Sequence, residues 1–81
     1  MSAHYSLYYY DACPFCQRVL NVIPNANVQV EKRNVMQNRA YHAELNREGG
    51  RSTVPCLRIE QDGEVQWMYE SMDIIHYLKS L

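Results

Sequence analysis

Charge of one sign is what this sequence has little of. Eight Lys and Arg residues stand against nine Asp and Glu, for a formal net charge of -1. A chain so balanced carries no electrostatic footprint for nucleic acid or for an anionic membrane surface. The basic residues are scattered, and Lys32 and Arg33 form the only adjacent pair. Long hydrophobic runs are absent as well, and no apolar stretch approaches the roughly 20 residues that cross a bilayer as a helix. The opening MSAHYSLYYYD has neither a positive n-region nor an apolar h-region, so it does not read as a signal peptide. A cytoplasmic protein is the resulting expectation, in a compartment that keeps thiols reduced. Internal repeats, low-complexity tracts and linkers are also missing.

Cysteine is scarce too: Cys13, Cys16 and Cys56 cannot all pair within one chain. A disulfide-stapled secreted scaffold is therefore the weakest reading. A zinc site needs about four ligands, and His4, His42 and His76 are the only histidines. None of them pairs with Cys56 at finger spacing, so no metal is expected. What remains is an ordinary soluble composition, 47% hydrophobic and 21% charged over 81 residues. That length suits one small domain over residues 1–81, with one core of limited depth.

The pattern along the chain alternates strand and helix. YSLYYY (Tyr5 to Tyr10) is short, aromatic and β-prone. Cys16, Val19, Leu20 and Ile23 then recur at helical spacing, with Pro14 in the first turn and PNAN (Pro24 to Asn27) as the stop. VQVEKRNV (Val28 to Val35) begins by alternating as a strand does. Asn38 to Glu48 reads as a helix ended by Gly49 and Gly50. CLRIE and VQWMY flank an Asp62-Gly63 turn and predict a hairpin. In SMDIIHYLKSL, Ile74, Ile75, Leu78 and Leu81 share a helical face, with Ser71 and Asp73 placed to cap and complement its start. The order β-α-β-α-β-β-α predicts an α/β fold on a four-stranded mixed sheet. Its first two strands should be parallel and its last two antiparallel.

DACPFCQRV carries the chemistry. A CxxC just after a strand and opening a helix reads as a redox centre rather than half a metal site. The helix N-terminus presents unpaired N–H groups and the positive end of the macrodipole, both of which favour a thiolate, the nucleophilic form. Cys13, at the entrance, is expected to be the exposed nucleophile, and Cys16, one turn on, the shielded resolving thiol. Asp11 would oppose this if it turned inward, and is expected to face solvent. Cys56 reads as a buried small hydrophobe, with a third redox role as the alternative. The three histidines read as surface residues, and Trp67, Met68 and Met72 as core or groove-lining groups. One of Tyr8 or Tyr10 is expected beside the thiol.

With CPFC after a strand and TVPCL some forty residues later, the chain resembles the glutaredoxins of the thioredoxin-like fold. MYESMDIIHYL (Met68 to Leu78) is similar instead to the Glu-Ser motif of glutathione transferase N-terminal domains and of the two-domain bacterial glutaredoxins. YYYDACPFC points the same way, since Tyr10 stands where small glutaredoxins usually carry lysine. The resemblance implies that Pro55 is a cis-proline facing the CxxC, and that the Val54 backbone pairs with a cysteinyl substrate as an added strand. It implies that Glu70 and Ser71 bind the γ-glutamyl end of glutathione, and that Arg51, with Gln17 a weaker candidate, reaches the glycyl carboxylate.

The function so implied is a monomeric, glutathione-dependent thiol–disulfide oxidoreductase acting on protein disulfides and glutathione mixed disulfides. Glutathione is its co-substrate. Three alternatives stand beside it. A redoxin reduced by thioredoxin reductase would lack the glutathione contacts. An iron–sulfur cluster bridged across a dimer is disfavoured by Pro14. The N-terminal domain of a larger glutathione transferase-like protein would need a helical second domain to bind an electrophile.

Overall fold

The computed structural model describes residues 3–81 of the chain. The element order is the expected one, with a single 3-10 turn added. β1 (His4–Tyr9) leads to α1 (Pro14–Val22), and the turn Ile23–Asn25 follows it. Then come β2 (Val30–Asn34), α2 (Arg39–Gly49), β3 (Cys56–Gln61), β4 (Glu64–Met68) and α3 (Ser71–Ser80). The sheet order is β2-β1-β3-β4. β1 runs parallel to β2 and antiparallel to β3, and β4 is antiparallel to β3. Strand ends fall short of the sequence expectation: β1 stops at Tyr9 and β2 begins at Val30.

β1 is central, and Tyr5, Ser6, Leu7 and Tyr8 are all buried. Because side chains alternate across a strand, they feed two separate cores. Tyr5 and Leu7 join Leu57 and Ile59 of β3, Val19 of α1, and Ile74 and Leu78 of α3. On the opposite face Tyr8 joins Cys56, Leu45 of α2 and Val35. Two helices thus cover one face and α2 the other. The predicted apolar face of α3 is seen, with Ile74 and Leu78 buried and Ile75 and Leu81 half-buried. Met72, expected in the core or a groove, is 53% exposed instead, because it lies on the solvent side of the first turn of α3.

The second core is closed by a polar network that the sequence does not announce. The Tyr8 hydroxyl donates to Glu44 Oε1, while Arg33 Nη1 donates to Tyr8 Oη at 2.7 Å and to Glu44 Oε1 at 2.6 Å. Arg33 also pairs with Glu31 at 2.9 Å, so one guanidinium ties together β1, β2 and α2. Partly buried, charge-assisted bonds of this kind contribute more than exposed ion pairs such as His4–Glu31.

Local chemistry sets the element ends. Asn38 caps α2 by accepting from Ala40 N at 2.9 Å, and Gly50 closes it in the left-handed region at φ 89°. Asp62 and Gly63, at φ 56° and 81°, make the two-residue turn that suits a right-twisted hairpin. Ser71 does not cap α3. It is the first helical residue, after Glu70 in the cap position, and the Glu70 side chain makes no capping bond to the N–H groups there.

Gly49 is required by packing. A Cβ there would meet Trp67 Cε3 at 2.9 Å as well as the Tyr69 hydroxyl. Alanine in a helix gains ~1 kcal/mol over glycine. Overpacking against an aromatic ring costs ~1–3 kcal/mol, so the clash outweighs the propensity. Gly49→Ala is expected to lower the urea midpoint, and an unchanged or raised midpoint would contradict this packing account.

Candidate active site

The C-terminal end of β1 delivers the CPFC segment to the start of α1. Cys13 occupies the cap position in extended backbone, and its Sγ accepts the Cys16 N–H at 3.2 Å. A sulfur thus stands where helices usually place a Ser, Thr or Asp oxygen, against the N–H groups of the first turn. Pro14, at the first helical position, has no N–H to leave unsatisfied.

Cys13 is not exposed as the sequence led us to expect; it retains 5% of its accessible surface. The cap geometry is the physical reason: a sulfur turned back onto the Cys16 N–H faces the helix rather than solvent. Cys16 is fully buried. Burial, and then its hydrogen bond to Cys13, push the Cys16 thiol up to about 12. Asp11 is exposed, as expected, with its carboxylate 3.5 Å from Asn34 Nδ2. Between the two possible neighbours of the thiol, Tyr10 is the nearer in the chain, and its carbonyl accepts the Cys13 N–H at 3.3 Å. Tyr8 is committed to the second core.

Beside the motif lies a cavity of about 180 Å³, lined by Phe15, Thr53, Val54, Pro55, Tyr69, Glu70 and Ser71. The fold therefore brings together four of the residues singled out from sequence: Val54, Pro55, Glu70 and Ser71. The Val54–Pro55 peptide bond is cis. Arg51 is one layer out, its guanidinium carbon 4.2 Å from the centre of the Tyr69 ring. Gln17 is turned elsewhere and donates to the Asp11 carbonyl at 2.8 Å. Phe15, Thr53 and Tyr69 were not foreseen, although their adjacency to Cys16, Val54 and Glu70 was a usable signal.

Cys56, next after Pro55, is fully buried, and burial pushes its thiol up to about 12. The histidines at positions 4, 42 and 76 are all exposed. Among the described residues no three His, Cys, Asp or Glu side chains gather as a metal site would require. A larger hollow of about 530 Å³ lies between the starts of β1 and β2, at the opposite end of these parallel strands from the CPFC segment. It is lined by Ala3, Tyr5, Val28 and their neighbours, far from the CPFC segment, so the smaller cavity beside that segment is the candidate site. No helix of the described residues is long and apolar enough to cross a membrane.

A CxxC at a helix start, a cis-proline and this mixed sheet define a protein of the thioredoxin-like class. Within that class the chain belongs to the family of the glutathione S-transferase N-terminal domain, whose pattern matches residues 7–81. Glutaredoxin 2 of Escherichia coli strain K12 is 35% identical over 75 residues, which are 93% of this chain and 33% of that protein. The chain thus spans about a third of the curated relatives it matches. Among solved structures, maleylacetoacetate isomerase from Anaeromyxobacter dehalogenans with bound GSH in its active site is similar at a TM-score of 0.73. That match has 25% identity and covers 98% of this chain and 38% of the isomerase. The trimeric glutathione transferase TDR1 of Leishmania is also similar, at a TM-score of 0.73 and 30% identity. It covers 94% of this chain and 17% of TDR1.

The raised thiols make stability depend on pH. Cys16 and Cys56 each bind their proton more tightly folded than unfolded, moving from 9.0 to about 12. Their contribution is complete below about pH 9 and is lost as pH rises toward 12. Under reducing conditions the urea midpoint should fall between about pH 8 and about pH 10.5, less steeply in Cys16→Ala and Cys56→Ala. A midpoint that rises over this interval would reverse the sign.

Proposed function

We propose that the chain is a glutaredoxin-type domain, acting over residues 1–81 as a glutathione-dependent thiol–disulfide oxidoreductase. The observation that carries this reading is the Cys13 sulfur in the cap position of α1, bonded to the Cys16 N–H at 3.2 Å. In that position the sulfur faces the first-turn N–H groups of α1, at the entrance of the CPFC helix. The 35% identity to glutaredoxin 2 and the GSH-bound isomerase support the choice of glutathione.

In the proposed reaction the Cys13 thiolate attacks the glutathionyl sulfur of a mixed disulfide. A Cys13–glutathione disulfide forms, and the substrate leaves as thiolate and takes a proton. A second glutathione thiolate then attacks the glutathionyl sulfur, giving oxidised glutathione and free Cys13. With protein disulfides, Cys13 forms the mixed disulfide and Cys16, deprotonated as it attacks the Cys13 sulfur, releases the partner as a dithiol; two glutathiones then reduce the Cys13–Cys16 disulfide and leave as oxidised glutathione. A high-pKa Cys16 suits that division, because the resolving thiol stays protonated until the mixed disulfide has formed.

The cavity supports a matching mode of binding. A cysteinyl ligand would lie along Val54 as an added strand. Its γ-glutamyl carboxylate would take the uncapped N–H groups of α3 at Ser71, and its ammonium the Glu70 carboxylate. Arg51 would reach the glycyl carboxylate; Gln17, held by Asp11, suits this less. Such chemistry fits a reducing, cytoplasmic compartment and needs no metal.

Coupled reduction of a glutathione mixed disulfide, with NADPH and glutathione reductase, tests the reading. Cys13→Ser is expected to fall to background, while Cys16→Ser retains deglutathionylation and loses reduction of protein disulfides. Equal loss from both changes contradicts the assigned roles. Reduction only by thioredoxin reductase would keep the CPFC chemistry and remove glutathione. A second reading, the N-terminal domain of a larger transferase, is favoured by the family match and by the one-third coverage of the curated relatives. Conjugation of glutathione to an aryl halide, without need for Cys16, would favour it.

A further inference from the structure

We infer that Tyr69 is a positioning residue that presets Arg51 and so makes the cavity prefer a ligand with a carboxylate at that end; this rests on the glutathione reading above. Tyr69 lies between β4 and α3, and its side chain meets several separate groups around the site. Its ring lines the cavity beside Glu70 and Ser71. The same ring carries the Arg51 guanidinium at 4.2 Å. Its hydroxyl donates to the Gly49 carbonyl at 2.8 Å, with the Arg51 carbonyl a second acceptor at 3.2 Å. It also faces the Cys56 thiol, next after Pro55.

Arg51 is therefore held twice, by its backbone carbonyl at the hydroxyl and by its guanidinium on the ring. An arginine on an exposed loop otherwise spreads over many rotamers, and a ligand must order it on binding. Stacking on Tyr69 orders it beforehand, one layer out from the cavity wall. Gly49 serves this arrangement, since its missing Cβ is what lets Tyr69 and Trp67 approach the last turn of α2. The specificity that follows is chemical. A tripeptide with a glycyl carboxylate should bind better than its dipeptide lacking glycine, and the difference should depend on Tyr69.

Calorimetric titration of the reduced protein with S-methylglutathione and with S-methyl-γ-glutamylcysteine tests this, because neither can exchange thiols. Wild type should bind the tripeptide roughly five-fold more tightly than the dipeptide. Tyr69→Leu should erase that margin by weakening the tripeptide more than the dipeptide, and Arg51→Ala should do the same. In the double variant the two effects should not add. Tyr69→Phe, which keeps the ring and loses the hydroxyl, should cost roughly two-fold on the tripeptide alone. It carries the test if circular dichroism shows that Tyr69→Leu is unfolded. Equal weakening of both ligands, or no change in either, overturns the inference while leaving the glutathione reading in place. Wild type that binds neither ligand overturns both.

Discussion

Tyr5, Ser6, Leu7 and Tyr8 leave solvent on both faces of the sheet at once, because β1 lies between β2 and β3 with helices above and below. Almost everything else follows from that placement. A strand so enclosed cannot slip its register without moving aromatic and polar groups into the wrong core. Its C-terminal end is consequently a fixed point, and Cys13 begins four residues beyond it, at the cap of α1. The Cys13 sulfur is positioned by the most constrained strand in the molecule.

The two cores do different work. The α1–α3 side is apolar and close-packed, and it holds the two helices whose N-terminal ends flank the site. The α2 side mixes Tyr8, Cys56 and Leu45 with the Tyr8–Arg33–Glu44 network, and it reaches Trp67 and Tyr69 beneath the cavity. Tyr69 joins this second side to the site through Gly49 and Arg51. The candidate cavity is thus braced by the less apolar core, where hydrogen-bond direction rather than volume sets geometry.

The three helix starts show how local caps divide structure from chemistry. Asn38 satisfies α2 with its own side chain and leaves nothing to bind. Cys13 satisfies α1 with a sulfur that is also the proposed nucleophile, and the result is a thiol less exposed than its position in the sequence suggests. Glu70 leaves the start of α3 without a side-chain partner, beside the cavity. Serving the cap and serving a ligand are alternatives at one site and the same act at another.

Much of this was legible in one dimension. Periodicity alone separated strands from helices, and the short hairpin and the long crossovers decided which strands run parallel. Pro14, Asp62-Gly63 and Gly50 marked their turns because each backbone position admits few residues. The CPFC, TVP and Glu-Ser segments contain six of the seven residues that line the cavity, four of them assigned to the site beforehand, since each motif sits at an element end that the fold brings to one edge. The burial of Cys13, the solvent-facing Met72, the capture of Gln17 by Asp11, and Tyr69 as the link between Arg51 and the cavity were decided only in three dimensions. Each depends on a side chain's direction relative to a partner distant in sequence or on another element, and spacing along the chain carries no information about that direction.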